Sequence, residues 1–326
     1  ELTIDSAIQM AAVAALGEQR GGLVVIDVAT GALLAAASSP ASGPSLTALE
    51  GVVEPGSIIK MIALAAALRS GVDVGALFPF DCRGAVTLDG LPFRDWASHG
   101  SVDSIDEAAA VSCNIAFARL AAATGAGALN AELRRYGFDP QVNLPGRWPS
   151  ALPQGLGRLA ALDPSHPGFS LARRAEGLDS ITITPLHAAV VAAGLARGGA
   201  PIAPALVSRR LNLLGETIED AARTATQARA EPLEGDQAAV ITRVMVAAVA
   251  RPDGTARRAF VAGLSAAMKT GTSGVSGRLD AIMIGFAPAD RPRIAWGLVA
   301  IGAGKAAIEA ARITRQFLLR IRDRLR

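Results

Sequence analysis

The sequence predicts an α/β (α+β) fold: one sheet assembled from the two ends of the chain around a mainly helical insertion. Three observations carry this. Apolar runs at Gly22–Asp27 and Ala32–Ser38 flank Ala29-Thr30-Gly31, a hairpin signal near the N-terminus. Three more, Ala266–Thr272, Leu279–Phe286 and Arg293–Ile301, read as strands near the C-terminus. Between the two groups, from about 57 to 250, most segments have helical composition. The 326 residues read as one domain, 1–326, with its sheet from about 20–40 and 266–301.

In order along the chain, Asp5 can cap a first helix running to about Leu16. After the hairpin, Ser38 to Glu54 is rich in serine, proline and glycine and reads as loop. Pro55-Gly56 breaks the chain immediately before Ser57, and Ile58–Leu68 has helical composition. Asp89-Gly90 inside Ala85–Leu91 predicts a small hairpin. Short helices are expected around Ser104–Ala110, Ile115–Ala123 and Leu129–Tyr136. Residues Asn143–Ser170 hold five prolines and four glycines and read as irregular loop. Pro185 opens a helix to about Ala196, and Asp236–Ala250 forms another. The last helix sets Ile313, Phe317, Ile321 and Leu325 at four-residue spacing beside Arg312, Arg315, Arg320, Arg322, Arg324 and Arg326. Such a helix docks by its apolar face and leaves a basic side to water or to anionic lipid.

Half the residues are apolar and 4% aromatic, so alanine, valine and leucine must build the core. No uninterrupted apolar stretch approaches the roughly 18 residues of a spanning helix. No signal peptide pattern is visible, and Leu2-Thr3-Ile4-Asp5 reads as the start of folded structure. The chain is therefore read as a soluble piece, compatible with a longer parent. A net charge of +3 without an aromatic-studded basic stripe argues against nucleic acid as a partner. Cys82 and Cys113 make neither a disulfide framework nor a metal cluster, and His99, His166 and His187 lack metal-ligand spacing. No metal or cofactor is expected.

The chemistry is carried by lysine. Only three of the 32 basic residues are lysine: Lys60, Lys269 and Lys305. Arginine cannot give up its proton near neutral pH, whereas a lysine can be pushed to do so. Ser57 sits after Pro-Gly at a helix start, three residues before Lys60, so the amine can reach the hydroxyl and act as its base. The helix N-terminus and the Ser57 N–H favour a developing oxyanion. Ser112-Cys113-Asn114 offers a hydroxyl that can relay a proton and an amide that can hold a substrate amide. Lys269-Thr270-Gly271-Thr272 lies on a predicted strand that can pair with an extended peptide. There Gly271 admits a close approach, and the lysine and hydroxyls can hold a carboxylate.

These three motifs, in this order and in these elements, make the chain resemble the transpeptidase domain of penicillin-binding proteins, of the monofunctional type and the β-lactamase/transpeptidase-like superfamily. The likeness runs nearly end to end. Glu54-Pro55-Gly56-Ser57 is similar to the lead-in to the nucleophile. Cys82-x-Gly84, His99-Gly100 and Glu107-Ala108 precede the Ser112 motif as in the monofunctional synthases. Thr184-Pro185-Leu186, Asp253-Gly254-Thr255-Ala256 and Gly285-Phe286-Ala287-Pro288 are further landmarks. The resemblance implies a mainly antiparallel sheet with helices on both faces and an all-helical subregion. It implies Ser57 as acylated nucleophile, Lys60 as base, Ser112 as proton shuttle and Asn114 as substrate orienter. Lys269, Thr270, Gly271 and Thr272 would face the carboxylate side of a peptide or β-lactam, and the Ser57 and Thr272 N–H groups would form the oxyanion hole.

The implied reaction is attack on the D-Ala-D-Ala end of a peptidoglycan stem peptide, loss of D-alanine and transfer to an amine. Stem peptides and β-lactams are then the expected partners, a glycosyltransferase is a further one, and no cofactor is needed. Such work is extracytoplasmic, with a membrane anchor preceding Glu1. Two segments depart from the family pattern: Gly177-Leu178-Asp179 stands where Gly-Gln-Gly is usual, and Ile282-Met283-Ile284 replaces aromatic residues. Alternatives in the same fold are a D,D-carboxypeptidase, a β-lactamase or a non-catalytic penicillin-binding sensor. A β-lactamase needs a water-activating acid, and the single candidate, Glu176, does not match that motif. The family more often pairs a cysteine at 82 with one near the position of Trp96; a Cys82–Cys113 pair in an oxidising compartment is the alternative to the reading taken, two free thiols with Cys113 behind the Ser112 turn. His99 is read as structural and His187 as carrying no chemistry.

Overall fold

The structure, a computed structural model, describes residues 1–43, 45–88, 91–138, 156–159, 170–178, 181–220, 231–275 and 277–325. It opens with α1 (Ser6–Leu16), β1 (Gly21–Asp27) and β2 (Leu33–Ser38). Asp5 Oδ1 accepts the Ala7 and Ile8 N–H groups at 2.9 and 3.0 Å, the cap expected for α1. A short α2 (Thr47–Glu50) and a 3-10 turn over Gly56–Ile58 lead into α3 (Ile59–Arg69). Then come β3 (Phe80–Cys82), β4 (Ala85–Leu88), β5 (Leu91–Arg94) and β6 (Gly100–Val102). Helices α4 (Ile105–Ala110), α5 (Asn114–Thr124), α6 (Ala126–Arg135), α7 (Leu171–Ala175) and α8 (Pro185–Ala196) follow. The chain closes with β7 (Arg209–Leu211), β8 (Thr217–Asp220), α9 (Gly235–Ala250), β9 (Ala267–Val275), β10 (Arg278–Ala287), β11 (Ile294–Ala300) and α10 (Glu309–Leu325).

The main sheet has the order β2-β1-β11-β10-β9, and every neighbouring pair is antiparallel. The N-terminal hairpin therefore meets the C-terminal strands through β1 and β11, in register from Gly21 opposite Ala300 to Asp27 opposite Ile294. Side chains alternate across a strand, so each strand feeds two cores. Leu23, Val25, Met283, Trp296 and Leu298 face α1 and α10, whereas Val24, Ile26, Ile282, Ile284 and Val299 face α8 and the helical region. Each such buried side chain contributes about 1.5–3 kcal/mol. Helix α10 lays Ile313, Phe317, Ile321 and Leu325 onto the sheet, with the Phe317 ring edge-on to Trp296 at 6.4 Å. Arg324 pairs with Asp5 at 3.0 and 3.1 Å, which ties the end of α10 to the start of α1.

The middle of the chain is less purely helical than the sequence suggested. Three two-stranded sheets, β3/β6, β4/β5 and β7/β8, interrupt it. The hairpin of β4 and β5 was legible, although its turn at 89–90 lies outside the described residues. Strands β3, β6 and β7 have three residues each, too few for a period-of-two signal. Most of the expected loop over 143–170, His166 included, lies outside the described residues. His187 is buried: Nδ1 accepts the Gly157 N–H at 2.8 Å and Nε2–H donates to Tyr136 O at 2.6 Å. Burial pushes its pKa down to about 4, so it stays neutral at physiological pH and serves packing. Among the described residues no helix is long and apolar enough to cross a membrane.

Strand β9 ends the sheet, so its outer edge is free to pair, and the 3-10 turn carrying Ser57 packs against it. That juxtaposition positions the site.

Candidate active site

The turn over Gly56–Ile58 presses so closely on β9 that neither backbone tolerates a side chain. A Cβ at Gly271 would meet Pro55 O at 2.4 Å and Ile58 Cγ2 at 3.1 Å. Gly271 is thus required by the nucleophile turn itself, a different reason from the substrate approach expected from sequence. Strand alternation explains the division of labour along Lys269-Thr270-Gly271-Thr272. Thr270 and Thr272 line the cleft, whereas Lys269 is buried beneath it against Ser112 and Gly271 packs on the Ser57 turn.

Ser57 is half-buried and lines a cleft of about 420 Å³ together with Ser112, Asn114, Thr270 and Thr272. Among the described residues its Oγ makes no hydrogen bond, so the direct Ser57–Lys60 contact expected from the three-residue spacing is not made. The reason is local: Ser57 lies in the 3-10 turn, α3 begins only at Ile59, and the Lys60 amine is drawn elsewhere. Lys60 Nζ donates to Ser112 O at 2.8 Å and to Asn114 Oδ1 at 2.5 Å, and lies 3.3 Å from Ser112 Oγ. Lys269 Nζ donates to the same Ser112 Oγ at 2.8 Å and to Thr270 O at 2.9 Å.

Both lysines are fully buried. Burial lowers the pKa of Lys60, against the opposing pull of Glu176 and Asp95. Burial, then the neighbouring Lys60 charge, lowers that of Lys269 well below its usual value. Lys60 Nζ thus faces three oxygen acceptors, and Ser112 Oγ takes a bond from Lys269 as well. Ser112 is the one described non-glycine residue with positive φ, at 57°. Such a conformation costs about 1–2 kcal/mol and here aims one hydroxyl at two amines.

Asp95, which sequence reasoning missed, holds Asn114 in place. Its Oδ2 accepts the N–H of Asn114 at 2.8 Å and of Ile115 at 3.2 Å, at the start of α5. Cys113 caps the same helix, its Sγ accepting the Ala116 N–H at 3.3 Å. Cys82 and Cys113 are free and buried with Sγ atoms 3.3 Å apart, Cys113 lying behind the Ser112 turn. Burial, then the Asp95 charge, pushes the Cys113 thiol up, so it is no nucleophile. Cys82, Asp95 and Cys113 are the one group of metal-type ligands found together among the described residues, with ligand atoms within 4.8 Å. His99 stacks edge-on to Trp96 at 5.1 Å, and its backbone N–H donates to Cys82 O at 3.0 Å, a loop-fixing place.

Three further residues line the cleft, of which only Glu176 was weighed from sequence, as a water-activating acid. Thr255, known only as a landmark, accepts or donates at 2.9 Å with Thr270 Oγ1. Lys305, exposed on the cleft wall, precedes Ala306, whose N–H donates to Thr272 Oγ1 at 3.2 Å. Its signal was in plain view, since a chain so rich in arginine has only this one other lysine. Glu176, 6% exposed, completes the floor of the cleft beside Leu178.

The family model for the penicillin binding protein transpeptidase domain matches residues 21–318. The chain is 29% identical, over 90% of its length, to the peptidoglycan D,D-transpeptidase PbpA of Mycolicibacterium smegmatis, and spans 65% of that protein. The penicillin G acyl-enzyme complex of penicillin-binding protein A from Mycobacterium tuberculosis superposes with a TM-score of 0.77 at 25% identity, covering 98% of this chain and 79% of that one. Penicillin-binding protein 3 of the same species, complexed with aztreonam, shares the fold at a TM-score of 0.83 and 20% identity, covering 99% and 78%.

Proposed function

The chain belongs to the family of penicillin-binding protein transpeptidase domains, and we propose that it is a peptidoglycan D,D-transpeptidase acting through an acyl-Ser57 intermediate. The observation that carries the reading is the Lys60–Ser112–Lys269 network at the base of the Ser57 turn, beside a free strand edge. The D-Ala-D-Ala terminus of a stem peptide lies along β9, its carboxylate toward Thr270, Thr272 and Lys305. Ser57 Oγ attacks the penultimate carbonyl, and neutral Lys60 takes its proton once the hydroxyl turns toward the amine. The oxyanion is met by the Ser57 and Thr272 N–H groups. Lys60 passes the proton through Ser112 to the departing D-alanine, while Asn114 orients the peptide amide. An incoming amine reverses that path, giving its proton to Ser112 and expelling Ser57. Residues 1–326 act as one domain working outside the cytoplasmic membrane. A membrane anchor precedes Glu1, and a glycosyltransferase partner supplies the glycan strands.

The test is covalent labelling by a fluorescent penicillin, which should reach one label per chain and be blocked by unlabelled penicillin. A folded chain that takes no label would return the site to the sensor reading. Within the cleft, Lys305→Ala should slow acylation by a carboxylate-bearing penicillin about three- to fivefold, the scale of an exposed charge pair, and leave its methyl ester unaffected. Equal slowing of acid and ester would place Lys305 in the local fold rather than on the carboxylate.

A further inference from the structure

Glu176 is a buried carboxyl that the transfer reaction does not use. Its position is fixed from both sides. It caps α7, its N–H donating to Ala172 O and Arg173 O at 3.2 and 3.1 Å. It is followed by Gly177, whose carbonyl accepts the Gly56 N–H at 3.1 Å. Gly177 has a φ of +74°, and a Cβ there would meet Gly56 O at 2.3 Å and Ile59 Cγ1 at 2.8 Å. The residue after Glu176 is therefore locked against the residue before Ser57. Glu176 is 6% exposed, lines the cleft with Ser57, Ser112 and Asn114, and its Oε1 has no hydrogen-bond partner among the described residues. Leaving a buried carboxyl oxygen unpaired costs about 1–3 kcal/mol or more, so a use in the cleft is the economical account.

We propose that Glu176 is the general base for a water that hydrolyses the Ser57 acyl-enzyme, giving this chain a D,D-carboxypeptidase branch beside transfer. The inference rests on the acyl-serine reading above. The water oxygen bonds to the acyl carbonyl carbon and its proton passes to the Glu176 carboxylate. The tetrahedral adduct collapses with cleavage of the carbonyl carbon–Oγ bond, and Ser57 recovers a proton from Glu176. Acyl-Ser57 plus water thus gives a free carboxylic acid and Ser57, with Glu176 regenerated. Amine attack needs no help from Glu176, because it retraces the path of the departing D-alanine through Ser112 and Lys60. The groups facing Glu176 suit a base. Burial raises its pKa to about 7, Lys60 on α3 pulls it down, Asp95 pushes it up and Arg173 on its own helix pulls it down. A base with a pKa near the operating pH is the efficient one.

The experiment uses a thioester analogue of the D-Ala-D-Ala terminus, with and without D-alanine as acceptor, on the wild type and Glu176→Gln. The thiol burst reports acylation, and its absence in the wild type would count against the acyl-serine reading instead. With the burst intact in both proteins, hydrolysis without acceptor should fall by about a hundredfold or more in the variant. Transfer to D-alanine should stay within a few-fold of wild type. Unchanged hydrolysis overturns the proposal. So does a parallel loss of hydrolysis and transfer, or loss of the burst in a folded variant, since Glu176 then acts through Lys60. If Glu176→Gln does not fold, Glu176→Asp decides: a lowered ratio of hydrolysis to transfer supports the water base, and an unchanged ratio overturns it.

Discussion

Ser57→Ala should abolish covalent labelling by penicillin while the thermal transition of the protein stays close to that of the wild type. Ser57 is half-buried, its hydroxyl makes no hydrogen bond among the described residues, and the change removes one oxygen from the cleft surface. Little stability rests on it, since substitutions away from packed or paired groups usually fall within about 0.5 kcal/mol. The chemistry rests on it entirely. Ser112, the other cleft hydroxyl beside a lysine, is held by both amines and points its oxygen into their network rather than at a substrate. Gel labelling against a melting curve separates the two effects. A variant that still takes the label, with an unshifted transition, would mean that another residue is the nucleophile.

Lys60→Arg should slow acylation nearly as much as Lys60→Ala, by about a hundred- to ten-thousandfold, the usual contribution of a positioned base. Arginine keeps the charge but cannot accept a proton, so a base role and a charge role give opposite results. Burial lowers the Lys60 pKa, which enlarges the neutral fraction near physiological pH. The reactive form is the deprotonated one. The wild-type acylation rate should therefore rise with pH as Lys60 loses its proton, and level off above its lowered pKa. The arginine variant should lose that rise. Stopped-flow acylation across pH, with far-UV circular dichroism to confirm folding, reads both. Retention of most of the rate by the arginine variant would reduce Lys60 to an electrostatic partner.

The parts of the site legible in sequence are those written in short spacings. Pro55-Gly56 before Ser57, the turn at Ser112 and the glycine in Lys269-Thr270-Gly271-Thr272 each mark a backbone constraint that few residues satisfy. The apolar runs at both ends likewise pointed to the sheet, and a strand buried on both faces, with Leu23 in one core and Val24 in the other, reads as such a run. What stayed hidden depends on contacts between distant segments. Asp95 reaches the start of α5 from the β5 hairpin, and Lys305 meets the cleft only because the loop before α10 crosses Thr272. Glu176 matched no motif, yet Gly177 locks it beside Gly56. The expected Ser57–Lys60 contact failed for a local reason, the 3-10 turn ahead of α3. Lys269 reaches Ser112 across 157 positions of sequence, while its neighbours Thr270 and Thr272 line the cleft.

The central claim is acyl transfer through Ser57, and one measurement addresses it directly. The protein is incubated with a stem pentapeptide ending in D-Ala-D-Ala and an acceptor amine, quenched during turnover, digested and read by mass spectrometry. The expected result is the donor acyl group, less one D-alanine, on the peptide containing Ser57, together with a product in which the acceptor replaces that D-alanine. An acyl group on another residue, or transfer product formed at full rate by the Ser57→Ala protein, would contradict the account.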